Sequence, residues 1–459
     1  MPALPDSSPW AAASPKPEGD APGPRSHEAF ARARAVLPGG TTRVTVERDP
    51  VPRYISHGRG AYLHDVDGRR YLDLNNNYTA LIHGHAFEPV AAALEKQIRD
   101  GTAFANPTER EIELAALLCA RVPGIDRIRF CNSGTEAVLF AIKAARAFTG
   151  RPGIAKVEGA YHGAYDWVEV SQASAPATWG DAAEPNAVPY YRGMPQSVLD
   201  EVVTIRFNDA EGASRLIARH AGRLAAIVLD PMPSRAGLIA PEPQFIAALE
   251  AVARDHDILI VADEVLNFRQ SHAGASARYG LEADLFALAK IIGGGMPVGA
   301  IGGRAEIMQV FDSTGTWPVL PQGGTFAANP LSMVAGLASM QALDPAAFAR
   351  LEELGSALRI RLAQASMTRQ APFSITGAAS LFRIHPKRRA PREHRDTYCS
   401  PKEMDVVTEL SRHFARAGIM LPKGTTACLS TPMGMGEVDL IVQVFERFLE
   451  TRSDLFAGL

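Results

Sequence analysis

The stretch Ile258-Leu259-Ile260-Val261-Ala262-Asp263-Glu264-Val265 is an apolar run that ends in an acidic pair, and Leu285-Phe286-Ala287-Leu288-Ala289-Lys290-Ile291-Ile292-Gly293-Gly294-Gly295 repeats the design with a lysine. Short apolar runs of this kind read as strands buried on both faces. Each delivers one charged residue at its carboxyl end, where open α/β sheets build their sites. Strands are expected at 127–131, 154–157, 225–229, 258–262 and 285–289, with helical patterns between them. That alternation implies an α/β fold with a mostly parallel sheet covered on both faces. Helices are expected at 28–37, 88–100, 109–121 and 329–343, and a hairpin over 61–74 around Asp65-Val66-Asp67-Gly68. The chain divides accordingly into a tail at 1–25, an N-terminal segment at 26–85, a large domain at 86–344 and a small α+β domain at 345–459.

Composition narrows the function classes. The chain has 459 residues, enough for a large core or two domains, and a net charge of −3 that offers nucleic acid or an anionic membrane no basic surface. No apolar run approaches the roughly 20 residues needed to span a bilayer. Cys119, Cys131, Cys399 and Cys428 lack the spacing of a metal site, so no metal is expected. They read as free thiols in a reducing compartment, hence a cytoplasmic protein. The first 25 residues are rich in Pro, Ala, Ser and Gly and carry acidic residues, which reads as a disordered tail rather than a targeting signal.

After the strand ending at Cys131 comes Asn132-Ser133-Gly134-Thr135-Glu136-Ala137, with Ser133 and Glu136 at capping-box spacing. A capped helix without a ligand carries the same signature. As a site, the segment is a phosphate cradle: free N–H groups and the helix dipole favour an anion, and the Ser133 and Thr135 hydroxyls add donors. Tyr161, in Gly159-Ala160-Tyr161-His162-Gly163, is placed to stack on a flat heteroaromatic ring. A strand-end lysine, a strand-end aspartate, a phosphate cradle and a stacking ring together suit pyridoxal phosphate. Lys290 would form the Schiff base, and Asp263 would pair with the pyridinium nitrogen.

These four motifs, in this order and at these spacings, resemble the class III pyridoxal-phosphate aminotransferases of fold type I, over residues 28 to 450. Within that class, Pro38-Gly39-Gly40 and the segment from Lys290 to Met296 are similar to the glutamate-1-semialdehyde aminomutases and the β-amino-acid aminotransferases. The resemblance implies a seven-stranded, mostly parallel sheet in the large domain, with a smaller domain built from both chain ends. It implies that Lys290 also shuttles the proton, that Val265 packs against the cofactor ring and that His162 lies beside it. Thr325, in Gly323-Gly324-Thr325-Phe326, would reach the phosphate of a partner subunit, making a homodimer with shared active sites. Arg43 falls where this subgroup binds a substrate carboxylate, and Tyr78 in a segment that resembles a pocket wall. Lys423 falls where some β-amino-acid enzymes place an arginine. Arg235 stands where many relatives have a neutral residue, and could add an anion contact.

The reading is a transaminase acting between a small carboxylate-bearing amino acid, with β-amino acids among the candidates, and a keto or aldehyde acceptor. The alternative is glutamate-1-semialdehyde 2,1-aminomutase. Residues 423–430 include no acidic group, and Thr426 stands where the aminomutases carry a glutamate. A racemase or decarboxylase is more distant. A cofactor-binding protein without catalysis would have no need of Lys290, Asp263 and Tyr161 together.

Overall fold

The computed structural model describes residues 22–315 and 317–456. Its strands, in chain order, are β1 (Ile55–Arg59), β2 (Tyr62–Asp65), β3 (Arg70–Asp73), β4 (Arg127–Cys131), β5 (Gly153–Val157), β6 (Val202–Ile205), β7 (Leu224–Leu229), β8 (Leu259–Asp263), β9 (Leu285–Ala289), β10 (Gly299–Gly303), β11 (Ser374–Thr376), β12 (Leu381–His385), β13 (Ile419–Met420) and β14 (Thr426–Cys428). Seven form the central sheet, in the order β4-β10-β9-β8-β7-β5-β6. All its pairings are parallel except the two that β10 makes, with β4 and β9. β5, β7, β8, β9 and β10 are buried at every position, because helices cover both faces. Leu, Ile, Val and Ala fill most positions of β7, β8 and β9, as a doubly covered sheet requires.

The five expected strands are present within one residue of their expected bounds, but β6 and β10 were not expected. Gly-Ala-Ile-Gly-Gly has too little β-branched or aromatic character to read as a strand. Its small residues are required by close packing: a Cβ on Gly299 would lie 2.1 Å from the Ser133 carbonyl oxygen. The helices Glu88–Asp100 and Glu109–Arg121 match expectation, and the helix expected at 329–343 spans Pro330–Ala342. The hairpin over 61–74 is present as β2 and β3, with β1 added outside it. Residues 1–21 of the expected tail lie outside the described residues. Its last two, Pro24 and Arg25, open the helix Pro24–Val36, which starts earlier than expected because Pro24 is suited to a first turn.

Both chain ends build the smaller sheets. β13 pairs in parallel with β3, so residues 419–420 complete a sheet begun at residue 55. β11, β12 and β14 form a separate antiparallel sheet. Among the described residues no helix is long and apolar enough to cross a membrane.

β5 carries a lysine with no exposed surface. Lys156 Nζ donates to the carbonyls of Val170 (2.7 Å) and Val157 (3.2 Å), tying the chain beyond Tyr161 back to the sheet. Burial pulls its pKa from the ordinary 10.5 to about 7, against a smaller upward pull from Glu158. The unfolded chain therefore binds a proton that the folded chain refuses between those two values, and folding stability rises with pH across that window. Lys156→Met should remove this rise, which is at most about 1.4 kcal/mol per pH unit. Denaturant unfolding of both proteins at several pH values in the window checks it; an identical pH dependence would contradict the assignment.

Candidate active site

β7, β8 and β9 are neighbours, and each hands one charged residue to the same edge: Asp230 just after β7, Asp263 at the end of β8 and Lys290 just after β9. They line a cavity of about 620 Å³. Ser133, Gly134, Thr135, Tyr161, His162, Val265, Arg43 and Tyr78 line the same cavity, so most of the sequence-derived candidates are brought together.

Asp263 is buried, and its two oxygens have separate tasks. Oδ1 accepts from the Val265 N–H at 3.0 Å, and Oδ2 lies 2.7 Å from His162 Nδ1. A carboxylate can only accept, so Nδ1 carries the proton. His162 Nε2 is buried and has no hydrogen-bond partner among the described residues. Lys290 has a left-handed backbone, φ 54°, at the turn out of β9. Its side chain fronts the cavity while its amine lies deep in the molecule, and burial pulls its pKa below the ordinary lysine value; Asp263 and Asp230 pull it back up.

Asp230 was not among the expected site residues, yet the same signal, an apolar run ending in a charge, marks it. Its Oδ1 accepts from the Met232 N–H at 2.9 Å and from Asn267 Nδ2. Burial, and then the neighbouring Asp263, push its carboxyl well above the usual range. Two adjacent carboxylates cannot both ionise cheaply in a dry site, and at Asp230 burial acts in the direction of the neutral acid.

The anion cradle sits across the cavity. Ser133 caps the helix Gly134–Thr149, its Oγ accepting from the Glu136 N–H at 3.1 Å. Only half of the capping box forms, because the Glu136 carboxylate takes the N–H of Asn132 at 2.7 Å. The N–H groups of Gly134 and Thr135 find no acceptor among the described residues. Thr135 Oγ1 accepts from the Ala164 N–H at 3.1 Å, which leaves its proton free to donate. Tyr161 is 47% exposed, with the Arg235 guanidinium 4.7 Å from its ring centroid. Arg235 therefore lies over the Tyr161 ring, but it does not itself line the cavity.

At the mouth, Asn76, Asn77, Tyr78 and Thr79 form one left-handed turn, with φ of 47°, 50°, 55° and 71°. Left-handed backbone costs roughly 1–2 kcal/mol per non-glycine residue. The turn is held from several sides. Asp73 Oδ1 accepts from the N–H groups of Asn75 and Asn76, Asn76 Nδ2 donates to the carbonyls of Asp73 and Cys428, and the fully buried Arg269 donates to the Thr79 carbonyl. Asn77, Asn132 and Asp230 line the cavity beside the expected residues.

Lys423 and Thr325 are not brought to the cavity. Lys423 lies in an exposed loop that Thr425 turns outward, with the Thr425 N–H bonded to the Pro422 carbonyl at 2.7 Å. Its charge opposes the upward pull of burial on the Glu47 carboxyl instead. Thr325 lines a separate groove with Phe104, Arg129 and Gln322.

The family model described as aminotransferase class-III matches residues 44–451. The chain belongs to the class III aminotransferases. An omega-transaminase from Sphaerobacter thermophilus is 48% identical, with a TM-score of 0.91 over 94% of this chain and 98% of that one. A beta-phenylalanine aminotransferase from Variovorax paradoxus is 32% identical, with a TM-score of 0.84 over 94% and 95% of the two chains. A protein named glutamate-1-semialdehyde 2,1-aminomutase from Methanothermobacter thermautotrophicus is 37% identical over 88% of this chain and 93% of its own. This class III aminotransferase has the fold-type I architecture and is a pyridoxal-phosphate-dependent enzyme. The residues present fit that cofactor: a helix N-terminus with two unpaired N–H groups suits its phosphate, and the acceptor Asp263 suits its ring nitrogen.

Gly134 tests the cradle. A Cβ there would lie 2.8 Å from Val265 Cγ1, the stiff branch of a β-branched side chain. Gly134→Ala should weaken cofactor retention on dialysis, and Val265→Ala in the same chain should restore part of it. Undiminished retention in Gly134→Ala would show that the helix start does not hold the phosphate.

Proposed function

We propose that this class III aminotransferase transaminates a small amino acid whose carboxylate binds Arg43, with β-amino acids among its donors, and passes the amino group to a keto or aldehyde acceptor. The observation that carries the reading is one cavity shared by Lys290, Asp263 and, at its mouth, Arg43. Bound pyridoxal phosphate supplies a carbonyl for the amino group and an electron-withdrawing ring that stabilises negative charge on the substrate carbon.

The protein's residues supply the rest. Lys290 Nζ, neutral more readily than an exposed lysine, would hold the cofactor, take a proton from the substrate carbon and return it. Asp263, steadied by His162, would serve as the acceptor for the ring nitrogen. Gly134 and Thr135 N–H groups, with the Ser133 and Thr135 hydroxyls, would take the phosphate. Tyr161 and Val265 would pack against the ring. Arg43 offers a planar fork for a carboxylate.

A second copy would complete the site with Thr325. In support, Thr325 stands off the cavity in a groove that it lines with the exposed Phe104. A cytoplasmic setting agrees with four free cysteines.

The names of curated relatives favour a second reading, glutamate-1-semialdehyde 2,1-aminomutase. An aminomutase benefits from a carboxylate near the migrating ammonium. The acidic side chains lining this cavity are Asp230 and Asp263, and Thr426 is neutral.

One assay pair decides. Transamination predicts β-oxo acid formation from β-amino carboxylates only when an acceptor is present, and slow 5-aminolevulinate formation from glutamate-1-semialdehyde alone. Arg43→Ala should cost carboxylate donors about 1.5–3 kcal/mol of transition-state binding and simple amines much less. Rapid, donor-independent 5-aminolevulinate formation would promote the aminomutase.

A further inference from the structure

We propose that Asn77 is a positioning residue for Arg43, and that the left-handed turn Asn76–Thr79 holds it in place. Selectivity for carboxylate-bearing substrates is then set by the two side chains jointly. The inference rests on the reading that Arg43 receives the substrate's carboxylate.

Arg43 lies in a segment without helix or strand, between the short turn Pro38–Gly40 and β1, and its side chain is exposed. A long side chain on such a segment samples many rotamers and loses that freedom when it binds. Among the described residues the guanidinium has two partners, both on the turn. Nη1 donates to Asn77 Oδ1 at 2.9 Å, and Cζ lies 5.6 Å from the Tyr78 ring centroid. A third tie, Thr45 Oγ1 to the Tyr78 hydroxyl at 2.7 Å, fixes the same segment two residues on.

The chemistry of the partner is informative. A neutral amide oxygen occupies one N–H of the fork and cancels none of its charge, which leaves the remaining N–H groups for a bidentate carboxylate. An aspartate at this position would orient the guanidinium equally well but neutralise it and compete with the substrate.

The backbone explains why the turn is worth its strain. Four successive residues in the left-handed region are not a local preference, even though asparagine tolerates it better than most. They persist because Asp73, Cys428 and Arg269 hold the turn from both sides. Strain held in this way at a cavity mouth is characteristic of functional positioning. Its product here is the pair of side chains facing Arg43.

The test is a double-mutant cycle on the holoenzyme, with wild type, N77G, R43A and R43A/N77G. The readout is the ratio of kcat/KM for a β-amino carboxylate donor to that for the matching amine without its carboxylate. N77G removes the amide while glycine accepts φ 50° without strain, so its thermal midpoint should not fall. Its selectivity ratio should fall roughly tenfold, mainly through KM, and R43A/N77G should fall no further than R43A alone. N77D, which keeps the side chain's size, should lower the ratio more than N77G. An N77G ratio equal to wild type, beside a lowered R43A ratio, overturns the inference and leaves the Arg43 reading intact. So does an N77G loss that adds fully to that of R43A. An R43A ratio equal to wild type overturns both.

Discussion

Asp230, Asp263 and Lys290 end three adjacent parallel strands and share one cavity, and the sheet makes that proximity unavoidable. Ionised side chains this close in a dry environment are costly unless paired or neutral. The structure deals with each differently. Asp263 faces two hydrogen-bond partners, the Val265 N–H and His162 Nδ1. Asp230 is pushed toward its neutral acid, and burial pulls Lys290 toward its neutral amine. An amine that burial drives toward its neutral form is what an enzyme needs to attack a carbonyl and move a proton.

That edge is closed by chain segments far apart in sequence. Arg269, fully buried, donates from Nε to Ser380 Oγ at 3.0 Å, from Nη1 to the Thr79 carbonyl at 2.9 Å and from Nη2 to the Leu429 carbonyl. One guanidinium thus joins the large sheet's edge to the turn before residue 80 and to two C-terminal segments. Its partners are neutral, so burial lowers its pKa, and the cost is met by hydrogen bonds rather than by a counter-charge. Glu158 and Arg395 make a comparable tie, with Nε 2.8 Å from Oε2, between the loop that carries Tyr161 and the C-terminal region. The site is therefore assembled by tertiary contacts, and the positions of Tyr78 and Tyr161 depend on residues more than 200 positions away.

Much of the central sheet was legible because doubly covered strands must be continuously apolar, and the charges that end them are conspicuous. β10 escaped notice because its glycines answer to close approach by Ser133, not to strand propensity. Asp230 ends an apolar run just as Asp263 does, so its place in the site was equally legible. The left-handed turn was invisible for a different reason. Asn75-Asn76-Asn77-Tyr78 permits left-handed backbone but does not dictate it, and the anchors that do lie in other segments. Lys423 illustrates the converse: a short matching stretch gave it a place near the substrate, while a turn at Thr425 sends its loop to solvent.

The central claim, that the lysine ending β9 is the residue that carries the cofactor, is tested most directly by chemical trapping. Purified holoenzyme is reduced with borohydride and digested, and the cofactor mass is located by peptide sequencing in a mass spectrometer. The account predicts one modified lysine, Lys290, with the fully buried Lys156 unmodified because its amine is bonded to the Val157 and Val170 carbonyls and it does not line the cavity. Cofactor mass on any other lysine, or none on Lys290, would contradict it.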